Sequence, residues 1–404
     1  MNTLLWKPLD EENIRNPYGM YATLRQTDPV HQAQTGEWII TRYDDIRHIL
    51  KSGAFESGNR LSWLKKGIRY FDNKQEDFRA IYQAMNSFVL MLNDAQHARI
   101  RNFIARAWNS RDIDGLILDN IHTVLNGINE KEFDFVARFA QPVPVYTISG
   151  ILGIPVTDYQ RLLQLGVAMT KTLDLYISLK DLVTMNEAAK DFIGYFRDQI
   201  RLKQVNPDGG LLSRMIQKNK EEDAGLSEEE MTSIGIFLFT AGEETSAGLI
   251  SNAVLHLAQH PGQLDSLRKD PALIDSAIEE VLRYDSVVQL LGRIAKDEVI
   301  VGKTLIRPGA PVTLVIAAGN RDPDAFEQPD QFIIARKPNR HLSFGSGIHY
   351  CLGDWLGRRQ SQLTVAAFLQ RYPKITLPEQ QLSWYKNIAV RRLDALRIRV
   401  DGGR

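Results

Sequence analysis

Phe344-Gly345-Ser346-Gly347-Ile348-His349-Tyr350-Cys351-Leu352-Gly353 runs directly into a segment with helical apolar spacing, so its cysteine stands at or just before a helix N-terminus. There the positive end of the helix dipole and the free amide donors lower a thiol pKa and favour the thiolate. Glycines at 345 and 347 permit a tight turn whose N–H groups can point at sulfur. Gly353 leaves no side chain where a flat cofactor could press on the backbone, and Phe344 can shield the sulfur from water. Cys351 is the only cysteine, so no intramolecular disulfide and no cysteine-rich metal cluster can form. A lone cysteine is in general an inert buried hydrophobe; the loop around this one argues for a reactive anion.

Working outward, the longest helical pattern covers 227–260. Ser227 with Glu230 makes a capping box, and Pro261 follows as a stop signal. At about 1.5 Å per residue this helix is roughly 50 Å long. Its middle, Ile234 to Thr240, is apolar on all faces, which implies burial. Ala241-Gly242-Glu243-Glu244-Thr245-Ser246 then interrupts it with a glycine, two carboxylates and two hydroxyls, which cost stability inside a buried helix. Either the helix bends and its acids face water, or it passes a site needing close backbone approach and a buried proton relay.

Further helices are expected at 18–27, 44–51, 95–108, 112–127, 143–152, 157–170, 181–203, 271–284 and 352–371. Short strands are expected at Trp38 to Thr41, Val299 to Val301, Val312 to Val315 and near the C-terminus. Strands neither alternate with helices nor cluster, so the fold class is mainly α with small β-sheets, in one body over 1–404. Apolar residues make up 44% and charged residues 24% of the 404, an ordinary globular balance. Lys plus Arg and Asp plus Glu each total 49, so no global charge argues for nucleic acid. Met1 to Pro8 carries no basic region followed by a long apolar run, so neither a signal peptide nor a membrane anchor is expected, and the expected location is cytoplasmic.

An anionic sulfur, a donor-lined loop and dry surroundings are what a thiolate-ligated haem iron requires. The loop resembles that of the cytochrome P-450 family, Phe-x-x-Gly-x-x-x-Cys-x-Gly, filled here by Phe344, Gly347, Cys351 and Gly353, with Gly345, His349 and Leu352 of the fuller bacterial form. Glu280-Val281-Leu282-Arg283 is similar to the family's Glu-x-x-Arg helix, and Ala241-Gly242-Glu243-Glu244-Thr245 to its oxygen-activation helix. Asn320-Arg321-Asp322-Pro323 and Pro338-Asn339-Arg340-His341-Leu342 resemble the approach to the cysteine loop. Asn16-Pro17-Tyr18 and Trp38-Ile39-Ile40-Thr41-Arg42-Tyr43 resemble the N-terminal region of soluble bacterial members. Departures are small: Gly357 and Gln360 replace a common Ala and Glu, and Ser246 a common Thr.

The resemblance implies haem b between the long central helix and the cysteine-loop helix, with Cys351 as axial ligand and Phe344, Gly345, Ala241 and Gly242 around it. His97 and Arg101 lie four apart on one helix face and can reach one anion. By resemblance they bind haem propionate, with Arg293 and His349. Glu280 and Arg283 form a structural ion pair, for which Arg336 is a possible third member; Gln331 occupies one place where the family's second arginine is often found. Thr245 and Glu244 deliver protons, which favours reductive oxygen activation over a peroxygenase. The implied activity is monooxygenation of a lipophilic small molecule in secondary metabolism, against a haem-thiolate peroxygenase, dehydratase or isomerase, or a non-enzymatic binder of apolar ligands. Substrate contacts are expected from the region 57–90, Leu238, Ala241, Val288, Leu290, Leu291 and Ile388. Arg60, Trp63, Lys65, Lys66 and Arg69 in that region either meet an acidic substrate or face water. No reductase is expected within this length, so electrons come from a ferredoxin or flavodoxin with its reductase, docking on Arg106, Arg340, Arg358 and Arg359.

Overall fold

The computed structural model describes residues 6–58, 78–108, 113–174 and 176–401. The principal helices, in chain order, are α1 (Tyr18–Thr27), α2 (Tyr43–Lys51), α3 (Arg79–Met85), α4 (Asp94–Ala107), α5 (Ile113–Asn126), α6 (Pro142–Leu152), α7 (Tyr159–Thr170), α8 (Leu179–Val205), α9 (Leu211–Glu221), α10 (Glu228–Gln259), α11 (Pro261–Lys269), α12 (Ile274–Tyr284) and α13 (Asp354–Arg371). Small sheets and short helical turns complete the fold. It is mainly α, as the patterning implied.

Local chemistry sets several boundaries. Ser227 and Glu230 exchange the two capping bonds, each 3.1 Å, that start α10. Ser178 and Asp181 do the same for α8. Pro261 does more than stop α10: it takes the first position of α11, where its missing N–H costs nothing. Helices α3, α9 and α11 were not anticipated, and α13 starts at Asp354, later than expected.

The chain divides into two compact units. One comprises Met1–Glu56, Ile117–Val143 and Thr245–Arg404. Its main sheet has the order β1 (Val30–Gln32), β2 (Trp38–Ile40), β8 (Pro311–Val315), β5 (Leu290–Ala295), β3 (Phe55–Ser57). Strand β2 pairs parallel to β8, Ile39 opposite Thr313, and β5 pairs antiparallel to β8, Arg293 opposite Val312. Ile40, Ile46, Ile49, Leu50, Leu314, Ile316 and Leu342 form one apolar core that joins this sheet to α2.

The other unit comprises Ser57–Leu116 and Pro144–Glu244. In it α8 packs on α3 and α7, and the Phe192 ring meets Phe196 at a tilt and Phe239 edge to face, with centroids 5.9 Å apart in each pair. Gly235 of α10 lies against the Phe196 ring, 2.6 Å from where a Cβ would stand. Among the described residues, no helix is long and apolar enough to cross a membrane.

Candidate functional site

The cysteine loop is built on two left-handed glycines, Gly345 (φ 73°) and Gly347 (φ 75°). The Cys351 amide donates to the Phe344 carbonyl at 2.9 Å, and the Tyr350 amide to Gly347 at 3.1 Å, which closes the loop. A side chain at Gly347 would collide with the Leu50 carbonyl, so the loop rests on the last turn of α2. Cys351 stays half-buried, short of the Gly353 N-cap of α13.

Phe344 has a cation and a ring against it. The Arg358 guanidinium lies 4.3 Å from its ring centroid, and the Tyr350 ring 6.5 Å away. Arg358 in turn donates to Glu279 at 2.7 Å and to Asp354 at 2.6 Å. Burial alone would raise the Glu279 carboxyl, but hydrogen bonds from His341 (3.0 Å) and Arg358 hold it down at about 2.

Arg293, in the same unit, is 7% exposed. Among the described residues, its guanidinium bonds only the neighbouring Gly292 carbonyl, at 2.8 Å, and pairs with no carboxylate. Burial pushes its pKa down to about 10. A buried cation without a counter-ion is costly, so its donors suit an anion that the polypeptide does not provide. His349 is half-buried in the 3₁₀ turn Gly347–His349. A haem would suit these residues: the half-buried Cys351 on its glycine loop would hold the iron, and the Arg293 guanidinium, with no carboxylate beside it among the described residues, would meet a carboxylate substituent.

In the second unit, His97 and Arg101 sit one turn apart on α4. Burial, and then the charge of Arg101, lower the His97 pKa. Along α10, residues 231 to 257 are buried except Ala241, which is exposed, and Gly242 and Thr245, which are half-exposed. Glu243 and Glu244 are both buried, so the reading of solvent-facing acids does not hold. At Gly242, Ile148 of α6 lies 3.1 Å from where a Cβ would be, so this glycine admits a neighbouring helix.

Glu280 and Arg283 are fully buried, with two 2.8 Å hydrogen bonds between them. The third side is Arg336, whose Nε lies 3.1 Å from Glu280 Oε2. Gln331 contributes its carbonyl, at 3.0 Å from Arg283 and 3.1 Å from Arg336. Asn339 and the Ile333 amide complete the carboxylate's partners, at 3.1 and 2.9 Å. The last two were not foreseen from sequence; nothing in their spacing marks them.

Of the substrate candidates, Leu290 and Leu291 lie in strand β5, and Val288 bridges Val390 beside Ile388. Ile388 lines, with Met20, Tyr21 and Trp384, a cavity of about 20 Å³, room for one water. Leu238 is buried in α10. Arg60, Trp63, Lys65, Lys66 and Arg69 lie outside the described residues. Of the expected docking arginines, Arg358 is paired as above and Arg106 pairs with Glu222 at 3.0 Å.

A family model for Cytochrome P-450 matches residues 164–387. The chain is 33% identical to a biotin biosynthesis cytochrome P-450 of Bacillus subtilis (strain 168), over 98% of each chain. It is 31% identical to the cytochrome P-450 monooxygenase PikC of Streptomyces venezuelae, over 98% of this chain and 94% of that one. Among solved structures, the P-450 BioI in complex with hexadec-9Z-enoic acid ligated acyl carrier protein superposes with a TM-score of 0.88 at 32% identity, covering 96% of this chain and 100% of that one.

Proposed function

This chain belongs to the cytochrome P-450 family and is an oxidoreductase of its monooxygenase class; from that premise we propose that it holds haem b through Cys351 and inserts one oxygen atom into a lipophilic small molecule. The overall stoichiometry is RH + O2 + 2 e⁻ + 2 H⁺ → ROH + H2O. The single observation that carries the assignment of sites is the buried Arg293 guanidinium, which has no carboxylate beside it among the described residues, in the unit that also presents Cys351 on its glycine loop.

Bound haem supplies the iron at which O2 is activated. Cys351 would hold that iron as a thiolate, favoured by its place just before the start of α13. Phe344, clamped by Arg358, keeps water from the sulfur. Arg293 and His349, with His97 and Arg101, hold the propionates. The Thr245 hydroxyl orients a water, and the Glu244 carboxylate accepts and releases the protons that the stoichiometry requires. This acid–hydroxyl pair favours O2 with an electron donor over peroxide as the oxidant.

The catalytic body is one P-450 domain in the cytoplasm, served by a separate ferredoxin or flavodoxin with its reductase. The substrate is apolar, an acyl chain or a polyketide-like molecule of secondary metabolism, in keeping with Val288, Leu290, Leu291 and Ile388 as its contacts. The test is the reduced, carbon monoxide-treated absorption spectrum. A strongly red-shifted Soret band that vanishes in Cys351→Ala is expected. A protein that stays colourless after haem is supplied would overturn the reading, and an unshifted band would remove Cys351 as the ligand.

A further inference from the structure

Glu243, the carboxylate of α10 to which no role has been given, is 1% exposed. It faces α7. A Cβ built on Gly166 of that helix would stand 2.6 Å from Glu243 Oε1, 3.4 Å from its Cδ and 3.6 Å from the Phe239 ring. The two helices therefore meet with the bare backbone of Gly166 on the end of the Glu243 side chain. Leu162, Leu165 and Met169 are buried on α7 beside Gly166, with Thr170, whose hydroxyl donates to the Gly166 carbonyl at 3.0 Å. Successive residues of an α-helix are about 100° apart, so Glu243 points almost opposite to Thr245 on the same turn, with Glu244 between them.

We propose that Glu243 is a positioning residue: with Gly166 as its matched partner, it fixes the approach of α7 to α10 and thereby the orientation of the turn that carries Glu244 and Thr245. Packed interiors transmit displacements of this kind because they have no slack to absorb them. A proton-delivering turn is sensitive to them, since a misplacement of about 1 Å costs up to about a hundredfold in rate. The contact acts by shape, so an isosteric amide at 243 serves as well as the carboxylate. The proposal rests on the proton-delivery roles given above to Glu244 and Thr245.

The experiment is a double-mutant cycle on the haem-loaded protein. Gly166→Ala, Glu243→Ala, Glu243→Gln and the double variant Gly166→Ala/Glu243→Ala are compared for coupling, the product formed per electron pair against peroxide released, and for the solvent isotope effect on turnover. Hydrogen exchange of the α7 amides is measured in parallel and needs no substrate. Gly166→Ala and Glu243→Ala are each expected to lower coupling by about tenfold and to loosen α7. Glu243→Gln should stay within about twofold of wild type, and the double variant should recover most of the loss. Unchanged coupling in both single alanine variants, or a double variant no better than the worse single, overturns the proposal; so does a Glu243→Gln as impaired as Glu243→Ala. If Gly166→Ala fails to fold, the contrast between Glu243→Gln and Glu243→Ala still decides. Thr245→Ala separates the underlying reading: intact coupling there removes the proton-delivery role, whereas the exchange data report the Glu243–Gly166 contact regardless.

Discussion

Arg293 is costly to the polypeptide alone, because it is 7% exposed and its guanidinium has no acidic partner among the described residues. Replacing it with Leu should leave the haem-free protein as stable as wild type or slightly more so, since a buried charge is removed. Haem retention should move the other way, with dissociation faster by about ten- to a hundredfold, the worth of one charge-assisted hydrogen bond. Apo-myoglobin capture of released haem, beside thermal melts of the apoprotein, reads both quantities. A faster apo-unfolding with unchanged haem loss would mean that Arg293 is structural. The residue was legible in the sequence by its motif alone, since burial without a counter-ion is visible only in three dimensions. Arg336 shows the limit of that legibility. Sequence reasoning held Gln331 and Arg336 side by side as neighbours of Glu280; the path of the irregular segment decides that the first offers a carbonyl and the second a guanidinium.

The cysteine loop and α2 act as one element pair. Gly347 has a φ of 75° and its missing Cβ lies against the Leu50 carbonyl, a backbone atom that cannot swing aside. Gly347→Ala should therefore combine left-handed strain, about 1 to 3 kcal/mol, with a displaced loop. The expected result is a lower melting temperature and a growing fraction of reduced protein whose carbon monoxide band is unshifted. Gly36→Ala, at a φ of 87° but with open space around a Cβ, is the control: it carries the strain alone, and it should lower the melt by less and leave the spectrum unchanged. Equal melts and spectra for the two would remove the α2 contact as the support of the loop. Helices with long apolar periods and caps, α8, α10 and α12, were legible to within a few residues. Helix α9, Leu211–Glu221, was not: its second half, Gln217 to Glu221, is polar and reads as loop until Leu211, Leu212, Met215 and Ile216 are seen buried on one face. Strand β5, which holds Leu290, Leu291 and Arg293, was not expected as a strand: its partner β8 follows some twenty residues later and no local pattern marks the pairing.

At the scale of the whole chain, segments remote in sequence converge on single buried carboxylates. Asp285 accepts from Tyr18 at 2.7 Å and from Arg391 at 2.8 Å, and meets His256 at 2.8 Å, so α1, the end of α10 and the C-terminal segment share one charge. Burial alone would raise its pKa, but Arg391, and then His256, hold it far below the usual carboxylate range. Glu279 is likewise depressed, to about 2, despite its burial, by His341 and Arg358. A group whose folded pKa is depressed contributes stability that is complete above its unfolded value, about 4, and is lost as pH falls towards the folded value. The melting temperature should therefore be insensitive to these groups from neutral pH down to about 5, then fall between about pH 4 and pH 2. Asp285→Asn should lower stability at neutral pH by about 3 to 5 kcal/mol, since it leaves Arg391 buried without its charge partner. It should also flatten the acid limb, and Glu279→Gln should flatten it further without touching Asp285. Circular-dichroism melts across that range decide the matter: an acid limb equally steep in both variants would mean that other carboxylates govern acid unfolding, and that the convergence on Asp285 matters for packing alone.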